Sequence, residues 1–371
     1  CAPDMRPLRG NQLERAPDVV LQGDREIMKV ATIRERLTAL GAKPLHEARV
    51  LRHWLQALPQ DLPPKRPGDF LPGTLRAALP QLLREFSEMA RVRAEHAGAD
   101  GSVRFVVGLT DGNAVESVLL PRDGLCVSTQ VGCAVGCRFC MSGRDGLIRQ
   151  LGSAEIVAQV ALARTRRPVK KVVFMGMGEP AHNLDEVCDA IELLGSLGGI
   201  AHKNLVFSTV GDERVFERLP CLFVKPALAL SLHTTNPALR RELLPRAPPI
   251  DPADLVASGE TYARLTGYPV QYQWTLIEGV NDGDEEIEGI IRLLAGKYAV
   301  MNLIPWNGVD SLPYRRPSWQ RAIEIARAID TGGVLAKLRQ SAGQDVDAGC
   351  GQLRSRVLLE QQPVHAASQN L

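Results

Sequence analysis

Residues 153–178 read "SAEIVAQVALARTRRPVKKVVFMGMG". The first half carries apolar residues at helical spacing behind a serine, with a glutamate close after it, which predicts a capped helix start. The second half, "KKVVFMGMG", is a short unbroken apolar run and reads as a strand buried on both faces. Such a strand needs helices on either side of its sheet. Helix and strand in this order are therefore half of a repeating parallel unit.

The rhythm continues towards the C-terminus. Helix "NLDEVCDAIELLGSLG" precedes strand "NLVFSTVG", helix "DERVFERL", strand "ALALSLH" and helix "NPALRRELL". A longer helix "PADLVASGETYARLTG" leads into strand "VQYQWTLIEG" and helix "DEEIEGIIRLLAG". Strand "AVMNLIPW" and helix "PSWQRAIEIARAID" end the series, before "VLAKLRQSAGQDVDAGCGQL". About six such units predict an α/β fold whose parallel sheet closes fully or partly into a barrel. Its β-to-α loops would gather at one rim, where barrels of this kind place their chemistry.

Towards the N-terminus the pattern changes. "RFVVGLTDGNAVESVLLPRDGLCVSTQ" alternates apolar and polar residues around two turn signals and predicts a β-meander. Residues 29–95 read as short helices interrupted by "LPQDLPPKRPGDFLPG", with Thr32 as a plausible N-cap. Arginines cluster from Arg34 to Arg93, and "ARVR" reads as part of this basic helical region, a candidate contact for phosphate backbone. A solvated helix face is the alternative. Residues 1–27 lack apolar periodicity and read as a disordered extension, which makes Met28 a candidate native start. The expected division is extension 1–27, helical accessory region 28–95, meander 96–125, barrel 126–340 and a C-terminal loop and tail 341–371.

Composition narrows the class. Of 371 residues, 45% are hydrophobic and 23% charged, and the net charge is only +2, so bulk electrostatics would not drive partner binding. No stretch approaches the roughly 18 uncharged apolar residues that span a bilayer, and "CAPDMRPLRG" has no signal-peptide core. A cytoplasmic protein is expected. Eight cysteines in a chain of this size are too few and too uneven for a disulfide scaffold, which points to metal binding or catalysis.

Three of those cysteines, Cys133, Cys137 and Cys140, crowd "GCAVGCRFCMSG", directly before the helix of the opening stretch. A structural zinc site wants four ligands and would need a distant partner. A four-iron cluster takes three thiolates and leaves one iron open for substrate or cofactor. Unligated thiols are the third reading.

C-x3-C-x-F-C at the first barrel loop resembles the radical S-adenosylmethionine (SAM) superfamily, and "GMGEP" after the second strand is similar to its SAM amino-group segment. Further motifs, "LCVSTQVGC", "VFSTVG", "SLH", "NLIPWN" and "GQDVDAGCGQL", resemble RlmN/Cfr-type RNA adenine methyltransferases over residues 100–355. The resemblance implies a partial (β/α)6 TIM-like barrel of the radical SAM type. It implies a 4Fe-4S cluster on Cys133, Cys137 and Cys140, and two SAM molecules per turnover. Gly178, Glu179, Ser208, Ser231, Leu232, His233 and Asn307 would line the SAM pocket. From residue type alone, Ser208 and Ser231 would be loop caps and His233 a satisfied core histidine.

The same resemblance gives Cys350, between Gly349 and Gly351, the role of methyl carrier, Cys126 that of its disulfide partner, and Glu116 that of general base. By residue type Glu116 would be an exposed strand carboxylate, and Cys188 and Cys221 buried structural thiols. The implied partners are ribosomal or transfer RNA and an electron donor such as flavodoxin or ferredoxin, acting on a monomer. Carbon 2 of adenine is the expected target. Carbon 8, a non-RNA substrate and a non-catalytic zinc-dependent RNA-binding protein are the alternatives. The sequence departs from the family in a short segment between Glu116 and Cys126 and in "CMSGRDGLIRQLGSAEI" after the third cysteine. The seven-residue step from Cys126 to Cys133 reaches up to ~23 Å, at about 3.3 Å per residue. A disulfide needs Cα atoms within about 7 Å, so the chain must bend there or the Cys350 loop must move.

Overall fold

The computed structural model describes residues 27–60, 70–309 and 311–354. The predicted extension lies outside the described residues except for Ile27, as do the centre of the Pro-rich interruption and the tail beyond residue 354.

One ten-stranded sheet organises the molecule. Strand β4 (Gly124–Cys126) pairs in parallel with β7 (Lys171–Phe174), followed by β8 (Leu205–Thr209), β9 (Ala227–Ser231), β10 (Val270–Leu276), β11 (Ala299–Pro305) and β12 (Ala336–Leu338). These seven parallel strands curl without closing, because β4 and β12 stand at opposite ends of the series. The seventh strand, β12, exceeds the expected six units. It is only three residues long, too short to show a buried apolar run.

The meander adds three antiparallel strands beside β4: β1 (Arg91–Ala97), β2 (Val103–Gly108) and β3 (Ala114–Leu120). The reading of "ARVR" as helix is corrected here. Arg91–Ala97 is an edge strand whose exposure alternates, so its arginines lie along a sheet edge.

Helices α4 (Ser153–Arg164), α5 (Leu184–Ser196), α6 (Glu213–Arg218), α7 (Pro237–Leu243), α8 (Pro252–Thr266), α9 (Asp284–Leu294) and α10 (Trp319–Thr331) cover the outside of the parallel strands. Their starts follow from sequence: Asn236, Asp251 and Ser318 accept backbone N–H groups at the heads of α7, α8 and α10. Helix α4 is apolar nearly all round and almost wholly buried, as a helix enclosed on every side must be. Its outer cover is α1 (Val30–Ala39), α2 (Pro44–Leu55) and α3 (Gly73–Glu88). Trp54 and Phe86 stack at 4.6 Å between α2 and α3, and one continuous apolar core joins these helices to the barrel.

Two expected caps fall elsewhere. The N-cap of α1 is Lys29, and Thr32 lies within the first turn of the helix. Ser153 does not cap its own helix, since Gly152 holds that position. Its hydroxyl accepts instead from Val30 N at 2.9 Å, capping α1 across a long sequence gap. Cys188 is buried as expected, whereas Cys221 is exposed on a short 3-10 turn.

Candidate active site

The cysteine loop is clipped at its base by a ribbon that the sequence did not reveal, β5 (Gln130–Gly132) against β6 (Leu147–Gln150). Arg149 of β6 locks it, bound by Asp111 at 2.5 Å and by both oxygens of Glu155 at 2.8 Å. Above this clip Cys133, Cys137 and Cys140 line one cavity of about 150 Å³. Burial pushes all three thiols up, Cys133 to about 12, and the neighbouring sulfurs push Cys133 and Cys137 further. Only metal coordination would hold them as thiolates at neutral pH.

Among the described residues no three His, Cys, Asp or Glu side chains converge on one ion. A zinc knot needs donors about 2.3 Å from a single centre. A cluster takes each thiolate on a different iron, and three thiolates lining one cavity fit that donor set with one iron left open.

The C-terminal ends of β7, β8 and β9 form the opposite wall. Gly176, Gly178, Glu179, Ser208, Ser231 and His233 all line the cavity. Gly178 has φ +107°, and a Cβ there would stand 2.7 Å from the Gln130 side chain, so the turn admits only glycine. It delivers Glu179 into a nearly dry position, 4% exposed, where the carboxylate accepts from Ala181 N and Val210 N, each at 3.0 Å. Burial nevertheless pushes Glu179 up to about 7, which suits a group that awaits a cation.

His233 also sits in the left-handed region, φ +61°. Its Nδ1 accepts from Thr275 N at 3.0 Å, and burial, aided by Arg240, pushes the ring down to about 3. The imidazole is therefore neutral with its proton on Nε2. Phe139 meets it edge-on at 4.8 Å, and buried Asn281 holds its carbonyl at 2.7 Å. Leu232 turns a fully buried side chain away and contributes backbone only, its N–H donating to Gln273 O.

Residue-type reading missed Arg240. Buried on α7, it donates to the carbonyls of Ser231, Leu232 and Val210, at the ends of β9 and β8. Burial lowers it to about 10, offset by Cys137 and Glu179 nearby. Arg240 stands beside another arginine in "ALRRELL", and nothing in that pair marks which one points inward.

Asn307 stands off this wall. Its amide Nδ2 donates to Ser341 Oγ and to the carbonyl of Cys350, both at 2.9 Å. Cys350 opens onto the cysteine-lined cavity and onto a second one of about 790 Å³ that fills the barrel lumen. Cys126 lines that second cavity, and burial pushes its thiol up with Cys350 adding to the effect. The structure thus brings together the two thiols that sequence spacing set in tension. It does so by folding the 347–354 segment back over the lumen: Met141 N donates to Gly351 O, Ser142 Oγ to Leu353 O, and Gln352 Nε2 to Gly308 O.

Glu116 lines neither cavity. It is buried, not exposed, in an ion pair with Arg104, and it accepts from Arg354 N at 2.9 Å. The register places it two residues from Val118, which pairs with Cys126. Glu116 and Cys126 thus share a sheet face as diagonal neighbours, about 7–8 Å apart, with the Cys350 segment lying over them.

A partial parallel barrel with three cysteines facing strand-end glycines and a carboxylate defines a class, and the comparisons agree with it. Residues 127–294 match the family described as the radical SAM superfamily. A probable RNA methyltransferase of Methylibium petroleiphilum is 70% identical over 331 residues, 89% of this chain and 94% of that protein. Another from Aromatoleum aromaticum is 68% identical, over 92% and 97% of the two chains. The solved radical SAM methyltransferase from Sphaerobacter thermophilus superposes with a TM-score of 0.76 at 34% identity, covering 88% of this chain and 98% of that one. The chain belongs to this family of radical SAM RNA methyltransferases.

Proposed function

We propose that the protein methylates carbon 2 of an adenine in ribosomal or transfer RNA by way of a methyl group carried on Cys350. The observation that supports this most is the shared position of Cys350, which opens onto both the cysteine-lined cavity and the Cys126-lined lumen. A carrier must reach the methyl source on one side and the acceptor base on the other.

Cys133, Cys137 and Cys140 would hold a 4Fe-4S cluster, and Gly178, Glu179, Ser208, Ser231, Leu232 and His233 would hold SAM. Bound there, the two groups supply the methyl group and the radical that activates it, two SAM molecules serving each turnover. The protein's part is recognition and proton management. Glu179 accepts from an ammonium. His233 offers its Nε2 proton, and Ser208 and Ser231 offer neutral hydrogen bonds. Asn307, also expected among the SAM residues, holds the Cys350 carbonyl.

Adenine C2 is an amidine carbon and not a nucleophile, so direct attack on a sulfonium methyl fails there. Addition of a carbon radical on the Cys350 sulfur avoids that barrier and joins RNA to the protein. Release follows when the Cys126 sulfur bonds to the Cys350 sulfur and the S–C bond breaks. The electron pair stays on the RNA carbon and takes up a proton, and a thiol reductant reopens the disulfide. Before that release the adduct, left with an unpaired electron by the radical addition, would return one electron to the flavodoxin- or ferredoxin-type carrier and pass its C2 proton to Glu116, once the 349–354 segment has moved off that carboxylate. A flavodoxin- or ferredoxin-type donor would supply electrons to a monomeric enzyme. Anaerobic incubation with labelled SAM and RNA, then nucleoside mass spectrometry, tests the reading: label at adenine C2 supports it, and label at carbon 8 or on no RNA base overturns it.

A further inference from the structure

The lumen has a chemistry that a filled barrel lacks. Closed (β/α)8 barrels pack their interiors with branched apolar side chains. Here the lower lumen is lined by Lys171 of β7, Gln271 of β10, Asn302 of β11 and Arg339 just after β12. Lys337 pairs in register with Asn302 and therefore shares its face, and Arg339 Nε donates to Asn302 Oδ1 at 2.9 Å. Arg122, in the turn between β3 and β4, lines the same cavity.

Among the parallel strands β4 and β7 begin the series and β11 and β12 end it, with the meander continuing the sheet beyond β4. Arg122 and Lys171 thus stand on the β4–β7 side of the lumen, Lys337 and Arg339 on the β12 side. None of the four has a carboxylate in salt-bridge range among the described residues. Two aspartates line the cavity, but backbone groups occupy both: Asp345 accepts from Ala99 N, and Asp100 from Ser102 N and Gly343 N. Lys171 is also pushed down, first by burial and then by Arg339 and Lys337, which shows the cations facing one another. Gly124 pairs with Lys171 and adds no side chain, which leaves room beside the ammonium.

We propose that Lys171, Lys337 and Arg339, with Arg122, form a phosphate seat that takes the backbone phosphate of the nucleotide whose base enters the lumen. Four residue steps along and just past β7 carry Lys171 to Met175 at the thiol end, about 13 Å at 3.3 Å per residue, room for one nucleotide laid base-inward. Cations grouped on one cavity with no carboxylate in salt-bridge range among the described residues favour a polyanionic strand, and Gln271 and Asn302 add donors beside them. The seat rests on RNA being the substrate.

The test is fluorescence anisotropy with a fluorescein-labelled six-nucleotide oligoadenylate across a salt series, on the full chain. Lys171→Gln and Arg339→Gln should each weaken binding about fivefold at 0.1 M salt and lower the slope of log K against log salt by about 0.7, the single-strand value for one phosphate contact. Arg339→Lys should keep the slope. Arg327→Gln, on the outer helix α10, should change neither. Unchanged affinity and slope in both glutamine variants, or no binding of the probe by the wild type, overturns the seat. Labelled SAM and total RNA separate the two claims. Methylated RNA with unchanged slopes removes the seat and leaves the enzyme; altered slopes without RNA methylation leave an anion seat and remove the substrate.

Discussion

The side-chain amide of Asn307 donates to the backbone carbonyl of Cys350 at 2.9 Å. This bond joins the loop after β11 to the Cys350 loop, and a second bond from the same nitrogen reaches Ser341. Asn307 is buried and its Oδ1 has no hydrogen-bond partner among the described residues, so its cost is met only by the loop it holds. Asn307→Ala should free the Cys350 loop. Alkylation of Cys350 by iodoacetamide, followed by peptide mass spectrometry, should quicken several-fold with no change at buried Cys188; an unchanged rate would show that the loop is held by its other bonds.

Cys126 and Cys350 both line the lumen, so under the proposed mechanism removing Cys126 should stop release and not attachment. Cys126→Ala should accumulate a covalent RNA–protein species, visible as a nuclease-sensitive mobility shift, with turnover lost. Free methylated RNA at wild-type rate from this variant would remove Cys126 from the release step.

Glu179 gives a pH signature. Its carboxyl is raised to about 7 in the folded protein, from an ordinary 4.5, so its ionisation carries a stability cost that is absent below pH 4.5 and complete above 7. A bound ammonium removes that cost. S-adenosylhomocysteine, which keeps the amino acid end, should bind more weakly as pH falls below about 7. Glu179→Gln should bind it weakly at every pH, and isothermal titration calorimetry across pH 5.5–8.5 reads both effects.

Glu116 and Arg104 form a buried pair, and taking away one charge strands the other. Glu116→Ala should cost about 3–5 kcal/mol in urea unfolding, and Arg104→Met with Glu116→Leu should recover most of it. A stable Glu116→Ala protein that is catalytically dead would instead place the residue in chemistry alone.

How much of this was legible in the chain depends on what each residue answers to. The strands around "VVF" and "ALALS" were readable because burial on both faces writes an unbroken apolar run. Cys133, Cys137 and Cys140 were readable because their spacing is local. "ARVR" was misread because a half-exposed edge strand carries the same arginines as a helix face. Ser153 capping α1, and Arg240 choosing three carbonyls over solvent, depend on partners far along the chain. Glu116 looked like a surface carboxylate because nothing local announces Arg104 opposite it across the sheet. Asn307 was placed with SAM through motif order, and only the folded loop shows it holding Cys350.

The central claim is that the methyl group travels on Cys350. Wild-type protein and Cys350→Ala, both with reconstituted clusters, should be incubated anaerobically with methyl-labelled SAM and total RNA, and the nucleosides analysed. Labelled adenosine methylated at carbon 2 from the wild type, and none from the variant despite an intact cluster spectrum, is the predicted result. Equal RNA labelling by the variant would contradict the account.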